Sequence, residues 1–175
     1  TMRKYLLLFG MAIATVGTLS SCVDRTTTVA PPQQDNDTYP IMGDVSGSFN
    51  AANQYTISVG ITNAATNVVL VYRRYNTGSS GAPVWQILPD TVNLTNNRSI
   101  KYSFLFDTKN VEIYADTNFD PATLTMGEAN TYMNNQTFRI VLIPASKGKN
   151  ANLDYSDYDS VIKFYHIDES KVKSF

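Results

Sequence analysis

The fold is decided by residues 100–115, IKYSFLFDTKNVEIYA. From Ile100 to Phe106, aromatic or apolar side chains occupy every second position, which is the period of a β-strand with one buried face. A tight polar turn at 107–110 then leads into a second alternating run, Val111–Ala115. Two alternating runs joined by a short polar turn predict an antiparallel β-hairpin.

Apolar runs on both sides of this hairpin predict further strands. Residues 55–61 alternate in the same way, whereas Val68–Tyr72 is continuously apolar and predicts a strand buried on both faces. Val84–Leu88 and Phe138–Ile143 each end at a proline, which cannot continue a β-ladder. Regularly spaced short strands, together with 11 Tyr and 8 Phe, predict an all-β fold. We expect an antiparallel β-sandwich of about 7–8 strands.

Two helical segments are predicted among the strands. Asp120 followed by Pro121 is typical of an N-cap and the first position of a helix. Near the end of the chain, apolar residues recur at helical spacing at Tyr158, Val161, Ile162 and Tyr165. They predict a short amphipathic C-terminal helix over about residues 155–165, packed over one end of the sheets. Ser156, with an acidic residue three positions later, predicts a capping box, and His166 is expected where the helix ends.

Residues 1–21 have the pattern of a cleaved export signal. Two basic residues precede the apolar run Tyr5–Val16, and small residues follow it. The run is too short to span a bilayer, which takes roughly 20 residues. The segment Leu19-Ser20-Ser21-Cys22 resembles a bacterial lipobox, in which the cysteine thiol receives a diacylglyceryl group before cleavage. We therefore expect Cys22 to be the lipidated first residue of the mature protein.

The rest of the chain is predicted to form a disordered tether, residues 22–40, and one β-sandwich domain, residues 41–175. The tether has few apolar side chains, so it cannot bury enough surface to offset the entropy lost on ordering. A lipid on Cys22 would anchor the chain to a membrane without spanning it. Because Cys22 is the only cysteine, its lipidation leaves no thiol for a disulfide, a metal site or a nucleophile.

Several segments of the domain resemble a family of uncharacterised lipoproteins from Bacteroidota. They are Asn67–Arg73, Trp85 with Leu88-Pro89, Tyr102–Phe104, Asn110–Asp116, Asn135–Val141, Ile143–Ala145 and Tyr158–Val161. Many members carry a collagen-like stalk between the lipidated cysteine and the domain, and this chain has the Thr/Pro/Gln/Asp/Asn tether in its place. The resemblance implies an outer membrane lipoprotein and leaves open whether it faces the periplasm or the cell surface. The family brings no established activity and therefore no catalytic residues.

The composition excludes several kinds of chemistry. His166 is the only histidine, which excludes a catalytic triad or a multi-histidine metal site. No glycine-rich phosphate loop follows a predicted strand, and a net charge of −1 gives no reason to expect a nucleic-acid partner. Carboxylates remain as acid/base groups, with Asp154, Asp157 and Asp159 clustered near the final helix. They also suit the first turn of a helix, where acidic groups are favoured.

Two candidate features concern binding and modification. Trp85, Tyr75 and Tyr132 either contribute to a face that stacks on a sugar or peptide, or belong to the core. Asp90-Thr91-Val92 resembles the acceptor motif of protein O-glycosylation in Bacteroidota. Thr91 is expected in a loop beside Pro89, which would make it accessible to modification.

The segment Asp116-Thr117-Asn118-Phe119-Asp120 resembles the start of a calcium loop. Alternate side chains at Asp116, Asn118 and Asp120 would turn hard oxygen ligands onto one ion. The segment departs from the EF-hand pattern at its sixth position, Pro121, and at its twelfth, Gly127. The same residues also suit a turn in which Asp120 caps a short helix. Calcium is the only cofactor that the sequence suggests.

Two functions from different classes remain open at this stage. The first is a lipid-anchored cell-envelope protein that acts as a non-enzymatic binding or structural module for a protein or glycan partner. The second is a hydrolase or accessory enzyme that acts on glycans through carboxylates. The tether, the β-rich domain and the missing catalytic constellation favour the first function.

Lipid anchoring is tested by Cys22→Ala, which removes the only thiol that can be acylated. We expect the variant to leave the membrane fraction and to accumulate as an uncleaved or soluble product, because acyl chains provide the binding energy of the anchor. Labelling with a palmitate analogue and membrane fractionation measure both effects. Wild-type mobility and membrane retention in the variant would contradict the assignment.

Overall fold

The computed structural model describes residues 40–61, 66–75, 81–144 and 152–175. The predicted signal peptide, Cys22 and the tether up to residue 39 lie outside the described residues. In the described part of the chain, no helix combines the length and the apolar character that a membrane crossing needs.

The described strands form two sheets. In chain order they are β1 (Ile41–Gly47), β2 (Thr56–Gly60), β3 (Thr66–Tyr75), β4 (Val84–Ile87), β5 (Asp90–Asn93), β6 (Ser99–Phe106), β7 (Asn110–Thr117), β8 (Gln136–Pro144) and β9 (Lys173–Ser174). One sheet has the order β4-β3-β8-β1-β9 and the other has the order β2-β7-β6-β5. Neighbouring strands are antiparallel except β1 and β9, which are parallel. The predicted antiparallel sandwich is therefore confirmed.

The hairpin predicted from residues 100–115 is formed by β6 and β7, with Phe104 opposite Ile113. Asp107 shapes the turn because its carboxylate accepts the backbone N–H groups of Lys109 and Asn110, both at 2.6 Å. These hydrogen bonds to the charged form lower the pKa of Asp107. The turn is thus specified by a local interaction, and the alternating side chains set which face of the hairpin is buried.

Two apolar cores lie on opposite faces of the five-stranded sheet. The first core fills the space between the sheets and contains Ile140 of β8. The second core lies against the outer face of the same sheet, where Val141 meets the helix α2 (Tyr158–Tyr165). Consecutive residues of β3 divide in the same way, with Val71 in the first core and Tyr72 in the second. The prediction that this run is buried on both faces is confirmed.

The connection from β7 to β8 contains the helix α1 (Met126–Tyr132). Thr125 caps this helix in a reciprocal capping box with Glu128. The predicted N-cap Asp120 accepts the backbone N–H of Ala122 at 3.0 Å and begins a 3-10 helix. The described 3-10 helices are Ala51–Asn53, Pro121–Thr123 and Glu169–Lys171.

The predicted C-terminal helix is α2, with two corrections. It lies over the outer face of the five-stranded sheet and not over one end of the sheets, because that face carries the apolar side chains of the second core. Its N-cap is Asp157 and not Ser156, whose hydroxyl donates to Asp154 at 2.6 Å and so belongs to the preceding turn. As predicted, His166 ends the helix, as a C-cap with φ of 53°.

The second core is tested by Val161→Ala on the fully buried face of α2. We expect a loss of about 1–3 kcal/mol in the free energy of unfolding, because two methyl groups leave a well-packed site. Lys163→Ala, on the exposed side of the same helix, is the matched control and should change stability by less than about 0.5 kcal/mol. Denaturant unfolding followed by circular dichroism measures both, and equal effects would contradict the packing of α2.

Candidate functional site

An open groove of about 540 Å³ lies between β4 and the beginning of α2. Its lining consists of Pro83, Val84, Trp85, Ser156, Asp157, Tyr158, Asp159 and Glu169. Aromatic rings offer apolar faces to a ligand, and the neighbouring carboxylates and hydroxyl offer hydrogen-bond acceptors. The groove therefore combines the two kinds of group that a sugar ring or a basic peptide segment requires.

Arg139 of β8 contacts three residues that line this groove, Trp85, Tyr158 and Glu169. Its guanidinium binds both carboxylate oxygens of Asp44, at 2.7 and 2.8 Å, and reaches Glu169 at 3.1 Å. The guanidinium carbon also lies 4.2 Å from the ring centroid of Trp85, which is a cation–π distance. A bidentate pair with this planar group limits the rotation of the arginine, so the Trp85 ring rests on a rigid base.

Tyr158 lies between Arg139 and Glu169 and is hydrogen-bonded to both. Its hydroxyl accepts a hydrogen bond from Arg139 and donates one to Glu169 at 2.7 Å. Burial, followed by the hydrogen bond to Glu169, raises the pKa of Tyr158. The phenol is therefore a neutral donor at physiological pH, and it links the side chains of Arg139 and Glu169.

Two acidic residues at this end of the groove, Asp154 and Asp157, have lowered pKa values. The hydroxyl and the backbone N–H of Ser160 hydrogen-bond to Asp157 and lower its pKa. Hydrogen bonds from Ser156 lower the pKa of Asp154 in the same way. Both carboxyl groups are therefore ionised at neutral pH and act as caps of backbone turns.

The structure separates the three candidate binding aromatics. Trp85 lines the groove on the outer face of the five-stranded sheet. Tyr75 and Tyr132 line a second cavity of about 230 Å³, and Tyr132 packs against the core between the sheets. Burial and a 2.7 Å hydrogen bond to Asp90 raise the pKa of Tyr75 to about 12.

The candidate modification site, Thr91, lies in a strand and not in the expected loop. It belongs to β5, one of the two edge strands of the four-stranded sheet, and is exposed. An edge strand has no neighbouring strand on one side, so Thr91 is accessible in the strand, as was expected for the loop. O-glycosylation of Thr91 stays a prediction.

The candidate calcium ligands lie where β7 leads into the 3-10 helix that follows it. Asn118 accepts the backbone N–H of Ser99 at 2.8 Å, and Asp120 caps Pro121–Thr123. Asp116 is exposed. Within residues 40–61, 66–75, 81–144 and 152–175, no group of three or more His, Cys, Asp or Glu is placed to hold a metal ion. Calcium binding by this segment stays a prediction.

Sequence reasoning missed Arg139 and its two acidic partners. A signal was present, because Arg139 interrupts the apolar run Phe138–Ile143 and a buried arginine requires compensating groups. Its partner Asp44 is 95 residues away in the sequence, and no local pattern connects the two. Arg73, directly after the apolar run Val68–Tyr72, carries the same signal.

Comparison with known proteins identifies no relative. No known protein family, curated protein or solved structure matches this chain. The resemblance to Bacteroidota lipoproteins therefore stays a prediction that rests on the segments named above.

The role of Asp157 as an ionised cap is tested by Asp157→Asn, since asparagine also caps helices but carries no charge. A pKa that is lower in the folded state contributes stability above the ordinary aspartate pKa and loses it as the pH falls through the folded value. We expect the wild-type melting temperature to fall more steeply than that of the variant below about pH 4. Asp159→Asn controls for the loss of one charge from the same turn, and parallel wild-type and Asp157→Asn curves would contradict the prediction.

Proposed function

We propose that this chain is a lipid-anchored protein of the cell envelope, held to the outer membrane through the lipid on Cys22, and that it binds a protein or glycan partner without catalysing a reaction. The partner occupies the groove between β4 and α2. The leader sequence supports the lipid anchor, and the chemistry of the groove supports the binding role.

The observation that carries the binding role is an aromatic surface mounted on a fixed, charged base. Trp85 rests on Arg139, whose guanidinium is held by both oxygens of Asp44. A side chain that is already ordered loses little conformational entropy when a ligand packs against it. The acidic residues of the lining, Asp157, Asp159 and Glu169, favour a partner that presents basic or hydroxyl groups.

The same groove gives less support to a glycan hydrolase. Such an enzyme requires one carboxyl group whose pKa is raised so that it can donate a proton. The pKa of Asp157 is shifted in the opposite direction, and Glu169 is paired with Arg139 at 3.1 Å. Binding without hydrolysis is therefore the function that the geometry favours.

Site-specific photo-crosslinking in intact cells tests this proposal. A photoreactive residue at Val84, which lines the groove and is 47% exposed, should give a discrete cross-linked product. The same residue at Leu105, which is 62% exposed on the other sheet, is the matched control and should not give that product. Trp85→Ala combined with the Val84 probe should remove the product, because the stacking surface is lost.

Digestion of the product identifies the partner class. If protease digests the mass that the partner adds to the product, the partner is a protein. If that added mass resists protease and is removed by glycosidases, the partner is a glycan. Equal products from Val84 and Leu105, or a product that persists after Trp85→Ala, would exclude the groove as the binding site. Release of shortened glycan from a purified envelope fraction would favour the hydrolase instead.

A further inference from the structure

Arg73 is a buried cation with an unused hydrogen-bonding group. Only 3% of its surface is exposed. Its Nε and Nη2 atoms both donate to Oε1 of Gln136, at 3.2 and 2.8 Å, whereas Nη1 has no hydrogen-bond partner. An arginine is charged at every physiological pH, so Nη1 presents donors that are neither solvated nor satisfied.

No carboxylate compensates this charge directly. Among the described residues, ion pairs form at Arg98, Arg139 and Lys171, and none forms at Arg73. Arg139, which is buried to a similar degree, has both Asp44 and Glu169. The groups in contact with Arg73 are neutral: the side-chain oxygen of Gln136, the Tyr102 ring, and Tyr75, whose ring and hydroxyl both interact with the guanidinium.

The groups that hold Arg73 are themselves fixed. The amide nitrogen of Gln136 donates to the carbonyl oxygens of Thr131 and Asn134, so its oxygen is oriented towards the guanidinium. On the other side, the guanidinium carbon lies 4.2 Å from the ring centroid of Tyr102. The cation is therefore held in one position before any ligand arrives, as binding sites require.

A cavity of about 230 Å³ lies beside this cation. Arg73, Tyr75, Thr131, Tyr132 and Gln136 line it, together with Arg74 and Val92. Tyr75 lies between the cation and an acidic residue: its ring centroid is 4.9 Å from the guanidinium carbon and its hydroxyl donates to Asp90 at 2.7 Å. The cavity is smaller than the usual range for a drug-sized ligand, about 300–1,000 Å³, so it suits a single small group.

We infer that this cavity binds the carboxylate of a small organic acid, with Nη1 of Arg73 as its principal donor. A carboxylate supplies the acceptor that Nη1 lacks and one negative charge to balance one positive charge. Nη1 is out of contact with solvent, so this binding requires the Tyr75 side chain, which lines the cavity and packs against the guanidinium, to turn aside. The site is on the opposite face of the sheet from the Trp85 groove and is independent of the function proposed for that groove.

Titration of the purified full-length lipoprotein in detergent tests the inference. Sodium glucuronate and glucose form a matched pair, because they are six-carbon sugars of similar size that differ in the carboxylate. We expect glucuronate to bind at least about tenfold more tightly than glucose. It should also raise the melting temperature by about 3–6 °C at roughly tenfold excess over its Kd. Sodium chloride and sodium phosphate at equal ionic strength control for general salt effects.

Two variants locate the site, and a third separates it from the groove. Arg73→Met should abolish the difference between glucuronate and glucose. Thr131→Trp, at an exposed position of α1 that lines the cavity, should block binding even if Arg73→Met does not fold. Trp85→Ala should leave glucuronate binding unchanged, because it alters only the groove.

Four results would overturn the inference. The first three are equal binding of glucuronate and glucose, tighter binding of phosphate than of glucuronate, and full glucuronate binding by Thr131→Trp. The fourth is loss of glucuronate binding in Trp85→Ala, which would place the carboxylate in the groove. If the groove gives no cross-link and glucuronate still binds, the proposed function is contradicted and this inference is not.

Discussion

The central strands β3 and β8 carry apolar side chains at consecutive positions, so both faces of their sheet have to be covered. On one face the cover is the second sheet, which buries residues such as Val71 and Ile140. On the other face the cover is α2, which buries Tyr72 and Val141. A two-layer sandwich would leave this second set in water, which is why the domain adds a third layer. The candidate groove lies where the beginning of α2 meets β4.

Each of these central strands also carries one arginine into an apolar environment. Arg139 faces outward and is compensated by two carboxylates, whereas Arg73 faces inward and has only neutral partners. A buried ion is costly unless other groups replace its hydration, so the two positions have different physical consequences. At Arg139 the paired carboxylates hold the guanidinium against Trp85. At Arg73 the charge has no paired carboxylate, and Nη1 keeps donors that a ligand can use.

Local patterns allowed the sequence to predict much of the fold. The β6–β7 hairpin was predictable because its alternation and its turn at Asp107 involve neighbouring residues. The position of α2 was not, since it depends on which sheet face lacks a cover. Competition between adjacent groups decided its cap, with Ser156 already bonded to Asp154. Short strands such as β5 and β9 contain too few residues to show a period. In the candidate site, the aromatic residues were recognisable, but the pairing of β3 with β4 determined which faces Tyr75 and Trp85 occupy.

The single tryptophan, Trp85, is a residue of β4 whose side chain packs against the second core and contacts both Arg139 and Tyr158. Its fluorescence emission therefore reports on the contact between α2 and the five-stranded sheet, whereas far-ultraviolet circular dichroism averages over both sheets. If the two signals change together during denaturation, the helix layer and the sandwich form one cooperative unit. If the emission changes first, the layer detaches while the sheets stay folded, and the groove is then the least stable part of the domain.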